Sequence, residues 1–330
     1  MEQNEVLMVQ SLSKAFPARR TFFEWLQRKP ALSVKAVDYV SFSVKTGEVV
    51  GLVGESGCGK STLARVLTRL YPADGGDILF NGESIVNPAG REDLHARTRI
   101  QMVFQDPYAS LNPRMTIRQM LYEIMDVHHL CEKADREKQA VAFLGMVGMD
   151  ASALDRHPGE FSGGQRQRIS IARALIVKPD LLIADEPVSA LDVSIQAQVI
   201  NLLIELKEKL QLSMLFISHD LSVIRYISDR VVVMYLGSVV ELASTETLFC
   251  TPAHPYTKIL MEAAPEIGKA HAEASAVIKG DLPSPMHIPS GCRFHTRCPY
   301  ATEVCAREKP PLVEMEAGHF TACHHPLNNV

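Results

Sequence analysis

The feature that most constrains the fold is a glycine-rich stretch, residues 54–62, which separates an apolar run from a helical pattern. Its letters match the pattern G-x-x-x-x-G-K-S. The apolar run over residues 49–53 predicts a buried strand, and apolar residues recur at helical spacing after Lys60. A strand that turns into a helix through glycines lets backbone N–H groups surround an anion, and the helix N-terminus adds its dipole. The stretch therefore predicts an α/β fold with a phosphate site at this turn.

The nine residues of this loop have distinct expected roles. In chain order they are Gly54, Glu55, Ser56, Gly57, Cys58, Gly59, Lys60, Ser61 and Thr62. The glycines let the backbone wrap the phosphates of a nucleotide. Lys60 is predicted to reach the β- and γ-phosphates, and the Ser61 hydroxyl is predicted to bind Mg²⁺.

A pair of acidic residues follows another predicted strand. The apolar residues 181–184 end in Asp185 and Glu186. A carboxylate at the end of a strand beside a phosphate loop can hold Mg²⁺, and a second one can polarise the attacking water. Acidic pairs also cap helices, so the pair supports a hydrolytic site only in combination with the loop. We predict that Asp185 binds the metal and that Glu186 acts on the water.

The remaining patterns outline the architecture. Strands predicted within residues 34–53, 181–184 and 215–217 alternate with helical patterns, which favours a parallel sheet covered on both faces. Residues 231–242 predict a hairpin around Leu236, Gly237 and Ser238. The stretch between about 106 and 160 is mostly helical, as in a helical insertion. From Pro283 onward Pro, Gly and Cys dominate, which indicates a loop-rich or metal-stapled appendage.

Four further features lie at defined positions relative to the predicted strands and helices. Ser162, Gly163, Gly164 and Gln165 open a helix whose first amides form a second anion site, which requires either two nucleotides or a partner chain. Gln105 follows a short apolar strand. His219 follows the strand that ends near Ser218, and Asp192 follows the acidic pair.

In this order the motifs resemble the ATPase subunits of ABC transporters. The resemblance implies a P-loop NTPase domain with a parallel core sheet, an antiparallel β subdomain and a helical insertion, plus a small Cys-rich C-terminal region. We place the ATP-binding domain at residues 1–252, with the helical subdomain at about 106–165, and the C-terminal region at 253–330. In this family two such domains dimerise head to tail, and each ATP lies between the phosphate loop of one subunit and the signature helix of the other.

The resemblance also implies roles for single residues. Residues 54–62 are the Walker A loop, Asp185 is the Walker B carboxylate and Glu186 is the catalytic base. Gln105 contacts Mg²⁺ and the attacking water, and His219 contacts the γ-phosphate. Further implied contacts are those of Ser162, Gly163, Gly164 and Gln165 with the partner's ATP, of Asp192 with the dimer partner, and of Phe16 with adenine. Simple core packing is the alternative for Phe16.

A finer resemblance is to the peptide-importer branch, and within it to the F-type ATPase subunits. It rests on three stretches: residues 106–114, residues 190–198, and the motif His-Pro-Tyr-Thr at 254–257. The resemblance implies a heterodimer with a homologous D-type subunit, two permease chains, an extracytoplasmic peptide-binding protein, and a peripheral location at the cytoplasmic face of the membrane. Related importers carry nickel, glutathione or other solutes, so these remain alternatives.

Composition restricts the rival functions. The chain has 330 residues, a net charge of -4 and a pI near 6.3, with no basic stripe. We therefore expect no nucleic-acid partner. A soluble ABC ATPase acting on nucleic acid or ribosomes is the rival from another class, although one ATP domain and no coiled-coil insertion speak against it. No uninterrupted apolar stretch of 18 residues and no secretory signal is visible, so other chains are expected to span the membrane.

Four of the seven cysteines lie close together near the C-terminus: Cys292, Cys298, Cys305 and Cys323. An odd cysteine count without a signal argues against a disulfide framework. Four thiols suit Zn²⁺ or an iron–sulfur cluster, although the spacing lacks C-x-x-C pairs. The peptide-importer resemblance implies a 4Fe–4S cluster. The alternatives are Zn²⁺, a mixed Cys/His site using His295, His319 or His324, and unliganded thiols.

Residues 17–33 form an insert that contains Phe22, Phe23 and Trp25. A surface loop packed on its own domain is one interpretation of this insert, and an interfacial membrane or partner contact is the other.

Overall fold

The computed structural model describes residues 5–17, 33–86, 98–262 and 283–327. These residues form twelve strands: β1 (Glu5–Pro17), β2 (Ser33–Lys45), β3 (Val49–Val53), β4 (Gly75–Phe80), β5 (Glu83–Ser84), β6 (Ile100–Val103), β7 (Leu181–Asp185), β8 (Ser213–Ile217), β9 (Arg230–Tyr235), β10 (Ser238–Ser244), β11 (Val313–Glu316) and β12 (His319–Thr321). The aromatic residues of the 17–33 insert, Phe22, Phe23 and Trp25, lie outside the described residues.

The same residues form ten α-helices: α1 (Lys60–Leu67), α2 (Pro107–Ser110), α3 (Ile117–Val127), α4 (Arg136–Met146), α5 (Gly163–Leu175), α6 (Val193–Leu210), α7 (Leu221–Ile227), α8 (Thr245–Cys250), α9 (Pro255–Glu262) and α10 (Glu303–Arg307). Three short 3₁₀ helices lie at Lys133–Asp135, Ala151–Asp155 and Pro158–Glu160. Within the part of the chain that is described, no helix combines the length and the apolar character that crossing a membrane requires.

The chain divides into two compact units. One comprises Met1–Leu7, Val44–Val49 and Phe80–Ser218, and the other comprises Met8–Ser43, Val50–Leu79 and His219–Val330.

The first unit contains a parallel set of strands in the order β6-β7-β8. Every residue of β7 and β8 is buried, as expected for central strands covered on both faces. The predicted strands at 181–184 and 215–217 are therefore confirmed. Because the strands are parallel, their carboxyl ends meet at one edge, and Asp185 occupies that edge at the end of β7.

The predicted helical stretch after residue 106 is also confirmed in this unit. Thr116 caps α3 through a capping box with Gln119, in which each side chain accepts a hydrogen bond from the other residue's backbone N–H. Ile117, Leu121 and Met125 are fully buried at a spacing of four residues, so one face of α3 packs inward.

The second unit contains β3 parallel to β9, followed by the β9–β10 hairpin. Leu236 and Gly237 at the hairpin turn both have positive φ, 43° and 83°. Two consecutive positive φ angles define the tight turn that matches the twist of a hairpin, so the predicted hairpin is confirmed.

A second sheet has the order β2-β1-β4. Strand β1 was not predicted, because its alternation of buried and exposed residues breaks at Gln10 and Ser11, and Ser11 has a φ of 46°.

The C-terminal region extends the hairpin instead of forming only the expected loop-rich appendage. Strand β12 pairs antiparallel with β10, with Glu241 opposite Thr321, and β11 pairs with β12. The Glu241 carboxylate is fully buried. It accepts hydrogen bonds from the backbone N–H groups of Ala253 (2.7 Å) and His254 (2.8 Å) and lies 2.8 Å from His319 Nε2.

Candidate functional site

The glycine-rich loop lies between β3 and α1, and two of its glycines cannot carry a side chain. Gly59 has a φ of 109° and caps α1, and a Cβ there would lie 1.9 Å from the Ala36 carbonyl oxygen. Gly54 has a φ of 150°, and a Cβ there would lie 2.2 Å from the Met234 carbonyl oxygen. Close backbone approach and left-handed geometry thus explain why glycine is needed at both positions.

The Lys60 side chain folds back onto this loop. Its side chain is buried, and Nζ donates hydrogen bonds to the carbonyl oxygens of Gly54 (2.7 Å) and Glu55 (3.2 Å). Nζ also lies 3.9 Å from Cys58 Sγ. Burial raises the pKa of the Cys58 thiol, although the Lys60 charge opposes the rise, so Cys58 packs as a neutral thiol. Two carbonyl oxygens of the loop therefore hold Lys60 Nζ beside the N-terminus of α1, where the helix dipole favours an anion such as phosphate.

Glu55 has contacts that the sequence did not indicate. Its backbone N–H donates to Tyr256 Oη at 2.9 Å, and its carboxylate oxygens lie 3.1 and 3.0 Å from Arg297 Nη1. Tyr256 belongs to the His-Pro-Tyr-Thr motif, and Arg297 directly precedes Cys298. Nothing in either stretch of sequence indicates a contact with a loop that lies 201 or 242 residues earlier. No local signal could have found these contacts.

In the first unit, the predicted carboxylates lie at the end of β7. Asp185 is 3% exposed. Glu186 has a φ of 47°, in the left-handed region that non-glycine residues seldom adopt, and its N–H donates to the Ile217 carbonyl at 2.9 Å. Such strain persists where the surroundings impose it, often at functional positions. Gln105 Nε2 donates to Glu186 Oε2 at 3.0 Å, so the structure brings these two predicted residues together.

Ser162 and Gln165 form a capping box at the start of α5. Ser162 Oγ accepts from the Gln165 N–H at 3.3 Å, and Gln165 Oε1 accepts from the Ser162 N–H at 3.0 Å. Gly163 lies in the first turn, and a Cβ on Gly164 would lie 2.5 Å from Ile195 Cγ2. The first turn of α5 is thus tightly formed and packs against α6, which Asp192 begins as its N-cap residue.

Two predicted residues occupy exposed or half-buried positions in the second unit. The Phe16 ring is half-buried near the end of β1 and meets the Tyr71 ring edge-on, with centroids 5.3 Å apart. His219 is exposed and directly precedes the N-cap residue of α7, Asp220. Stacking of Phe16 on adenine and contact of His219 with the γ-phosphate stay predictions.

All four C-terminal cysteines line one small cavity in the second unit. Cys292, Cys298, Cys305 and Cys323 lie there with the side chains of His295 and His324 among its other walls. His319 does not line it, because its ring pairs with Glu241 instead. This position corrects the expectation that His319 is available to a mixed Cys/His site.

The geometry of these thiols is not that of a ready metal centre. Within the described residues no group of three or more Cys, His, Asp or Glu side chains is arranged to hold a metal ion. Burial raises the pKa of Cys292, Cys298 and Cys323, the last to about 12, and the neighbouring thiols add to the rise at all three. The raised pKa values of these three cysteines favour their protonated thiols in the metal-free cavity, and metal binding would have to release those protons.

Comparison with known proteins identifies the family. A family model described as ABC transporter matches residues 37–189, and one described as oligopeptide/dipeptide transporter, C-terminal region, matches residues 240–305. The chain is 52% identical over 326 residues to the oligopeptide transport ATP-binding protein AppF of Bacillus subtilis, covering 98% of both chains. It is 47% identical over 323 residues to a putative peptide import ATP-binding protein of Brucella ovis, again covering 98% of both.

Solved structures give the same fold. The ATP-binding cassette MJ0796, in a post-hydrolysis dimer bound to ADP and Pi, is 26% identical with a TM-score of 0.62, covering 72% of this chain and 98% of that one. CbiO1 from Clostridium perfringens, part of an ABC transporter complex, is 25% identical with a TM-score of 0.62, covering 74% and 91%. The P-loop ABC ATPase fold predicted from the motifs is therefore confirmed. The chain belongs to the peptide-import branch of the ATP-binding subunits of ABC transporters, which are ATPases.

Proposed function

We propose that this ATPase powers the import of dipeptides and oligopeptides across the cytoplasmic membrane. The observation that carries the proposal is the combination, in one chain, of the phosphate loop with a C-terminal region of the oligopeptide/dipeptide type. Importers of nickel, glutathione or another small solute use related subunits and are the nearest alternatives. A soluble ATPase acting on nucleic acid or ribosomes has no support from the net charge of -4.

The chemistry follows from the side chains already described. The amides of residues 54–62 and the Lys60 ammonium bind the β- and γ-phosphates of ATP. Ser61, Asp185 and Gln105 would hold Mg²⁺, which would supply positive charge against the phosphates. Glu186 polarises the attacking water. Gln105 Nε2 donates a 3.0 Å hydrogen bond to the Glu186 carboxylate. This hydrogen bond orients the carboxylate that acts as the base.

The remaining contacts complete the assignment. His219 contacts the γ-phosphate, and Phe16 stacks on adenine. The first turn of α5, Ser162 to Gln165, binds the ATP held by the partner subunit.

The working unit is an assembly. Residues 1–252 act as the ATP-binding domain and residues 253–330 as the importer-type C-terminal region. The chain pairs with a homologous D-type ATPase subunit at the cytoplasmic face, below two permease chains that receive peptide from an extracytoplasmic binding protein. The region around Gln105, with the stretch 106–114 that follows it, docks on the permeases.

The test is a transport assay with matched variants. The tagged chain is expressed in its native cell, the co-purifying membrane proteins are identified, and uptake of a radiolabelled dipeptide and tripeptide is measured. We expect two permeases to co-purify and Lys60→Ala to abolish uptake, whereas Lys209→Ala, at an exposed lysine of α6, leaves uptake unchanged. Selective loss of nickel or glutathione uptake would reassign the cargo. Salt-sensitive binding of nucleic acid without permeases would support the rival class.

We further propose that Cys292, Cys298, Cys305 and Cys323 bind a 4Fe–4S cluster, with Zn²⁺ as the alternative. The support is the convergence of four soft sulfur ligands on one cavity. Binding requires these thiols to lose their protons and move together.

Anaerobic purification tests the cluster proposal. We expect a brown protein with absorbance at about 400 nm, typical of thiolate-bound iron–sulfur clusters, and loss of both colour and iron in Cys323→Ser. Cys131→Ser, which removes a thiol outside the cavity, is the control. A colourless protein with one zinc per chain would favour the alternative, and a metal-free protein would refute both.

A further inference from the structure

Glu55, the second residue of the phosphate loop, is held at three points. Its N–H donates to Tyr256 Oη at 2.9 Å, its carbonyl accepts from Lys60 Nζ at 3.2 Å, and its carboxylate pairs with Arg297 at 3.0 Å. Tyr256 and Arg297 both belong to the C-terminal region. Two of these three contacts to Glu55 are therefore made by residues of the C-terminal region, which begins at residue 253.

The charges explain why the carboxylate needs a partner. A loop that binds a polyphosphate carries a negative side chain at Glu55, and an uncompensated carboxylate there would repel the ligand. The Arg297 and Glu55 side chains are only 8% and 20% exposed. Solvent therefore screens their interaction weakly, and removing one partner leaves an unpaired, largely buried charge.

Packing fixes the positions of Tyr256 and Arg297. Tyr256 is fully buried, and its ring contacts those of Tyr235 and Phe294 at centroid distances of 4.7 and 5.3 Å. Arg297 Nη1 also lies 3.2 Å from Tyr235 Oη. Because the aromatic rings cannot move independently, they present Tyr256 Oη and the Arg297 guanidinium at set positions.

We propose that Arg297 and Tyr256 are positioning residues for ATP binding. Arg297 neutralises and orients Glu55, and Tyr256 fixes the Glu55 backbone amide, so that the C-terminal region sets the shape and charge of the phosphate loop. The proposal rests on the proposed function in one respect, namely that the loop binds ATP.

The experiment is a double-mutant cycle on ATP and ADP affinity, measured by calorimetry with the purified full chain. We expect Arg297→Ala to weaken ATP binding about tenfold, the effect of one poorly screened charge, and to weaken ADP binding less, because ADP carries less charge. Adding Glu55→Gln removes the repelling carboxylate and is expected to restore ATP affinity to within about threefold of the native value. Arg307→Ala breaks an exposed pair with Glu303 in the same region and should change neither affinity.

Two further variants separate positioning from folding. Tyr256→Phe keeps the buried ring and removes only the hydroxyl, so ATP affinity should fall about threefold while the melting temperature changes little. Arg297→Lys retains the charge and should bind ATP better than Arg297→Ala, which gives a second reading if the alanine variant is poorly folded.

The outcomes distinguish the two proposals. A native chain that does not bind ATP refutes the proposed function itself. A native chain that binds ATP, with Arg297→Ala equally tight or with no recovery in the double variant, overturns only the positioning role.

Discussion

Gln105 Nε2 donates a 3.0 Å hydrogen bond to Glu186 Oε2, and this bond connects the residues that follow two adjacent parallel strands, β6 and β7. Its geometry depends on the strained backbone of Glu186, whose φ is 47°. A residue after each of two neighbouring parallel strands reaches the same sheet edge, where ligands bind in α/β proteins. The amide thus aims the carboxylate that we assign as the base.

The first prediction concerns this base. Glu186→Gln keeps the side-chain shape and a hydrogen-bond acceptor for Gln105 but removes the negative charge that polarises water. We expect ATP hydrolysis, measured as phosphate release, to fall by about 100-fold or more, with ATP affinity unchanged within about threefold. Glu205→Gln, at an exposed position of α6, is the control. Normal turnover in the Glu186 variant would refute the assignment.

A second prediction separates steric clash from backbone conformation in the loop. Gly59→Ala places a Cβ 1.9 Å from the Ala36 carbonyl oxygen, whereas a Cβ at Gly82, which also has a positive φ, meets nothing within 4 Å. We expect Gly59→Ala to abolish ATP binding in calorimetry. Gly82→Ala should bind ATP normally and lose only about 1 kcal/mol of stability, the cost of its left-handed φ. Equal behaviour of the two variants would contradict the steric explanation.

The third prediction is an acid instability centred on His254. Burial lowers the pKa of His254 from its ordinary 6.5 to about 4, and the nearby Glu241 opposes this shift only in part. Its contribution to stability is therefore fully present above pH 6.5 and is lost as the pH falls toward 4. From the difference between the two pKa values the loss is about 2 kcal/mol at pH 5 and about 3 kcal/mol below pH 4.

Thermal unfolding at pH 7.5 and pH 5 in His254→Asn tests it. The Asn side-chain oxygen can accept the hydrogen bond that His254 Nδ1 accepts from the Tyr256 N–H, and Asn does not titrate. The variant should be less stable at pH 7.5 but lose less stability than the native chain between the two pH values. His287→Asn, at an exposed histidine, should behave as the native chain does. An unchanged pH response in His254→Asn would contradict the buried-histidine argument.

The fourth prediction concerns thiol reactivity in the metal-free protein. Cys250 is exposed, whereas burial raises the pKa of Cys323 to about 12. Because the thiolate is the nucleophile, iodoacetamide at pH 8 should label Cys250 first and Cys323 about 100-fold or more slowly. Peptide mass spectrometry over time measures both. Rapid labelling of Cys323 would show that the cavity opens or that its thiols ionise readily.

The sequence predicts best those parts of the molecule that depend on neighbouring residues. The strand, glycine loop and helix around Lys60, the strand ending in Asp185, and the Leu236–Gly237 hairpin all follow from local patterns and are present. Their local signals are strong because turn chemistry and hydrophobic periodicity act over a few residues.

The parts that were missed depend on long-range contacts. Strand β11 reads Val-Glu-Met-Glu and alternates apolar and charged residues over only four positions, and β12 has only the three residues His-Phe-Thr. Both are too short for periodicity to predict a strand. Strand β12 instead forms by pairing with the edge of β10. Arg297 and Glu55 lie 242 residues apart, and nothing in either neighbourhood encodes the pair. Nearness to the cysteines in sequence makes His319 one candidate for a mixed Cys/His site, whereas its ring pairs with the buried Glu241 carboxylate instead.

The pairing of β12 with β10 has a practical consequence for anyone shortening this protein. A fragment ending at residue 252 would expose the hydrogen-bonding groups of β10 that β12 now satisfies, and it would leave the Glu241 carboxylate without the Ala253 and His254 amides and without His319. An open strand edge recruits strands from other molecules. Such a fragment should aggregate, and crystallisation or interaction studies are better served by the whole chain than by its ATP-binding part alone.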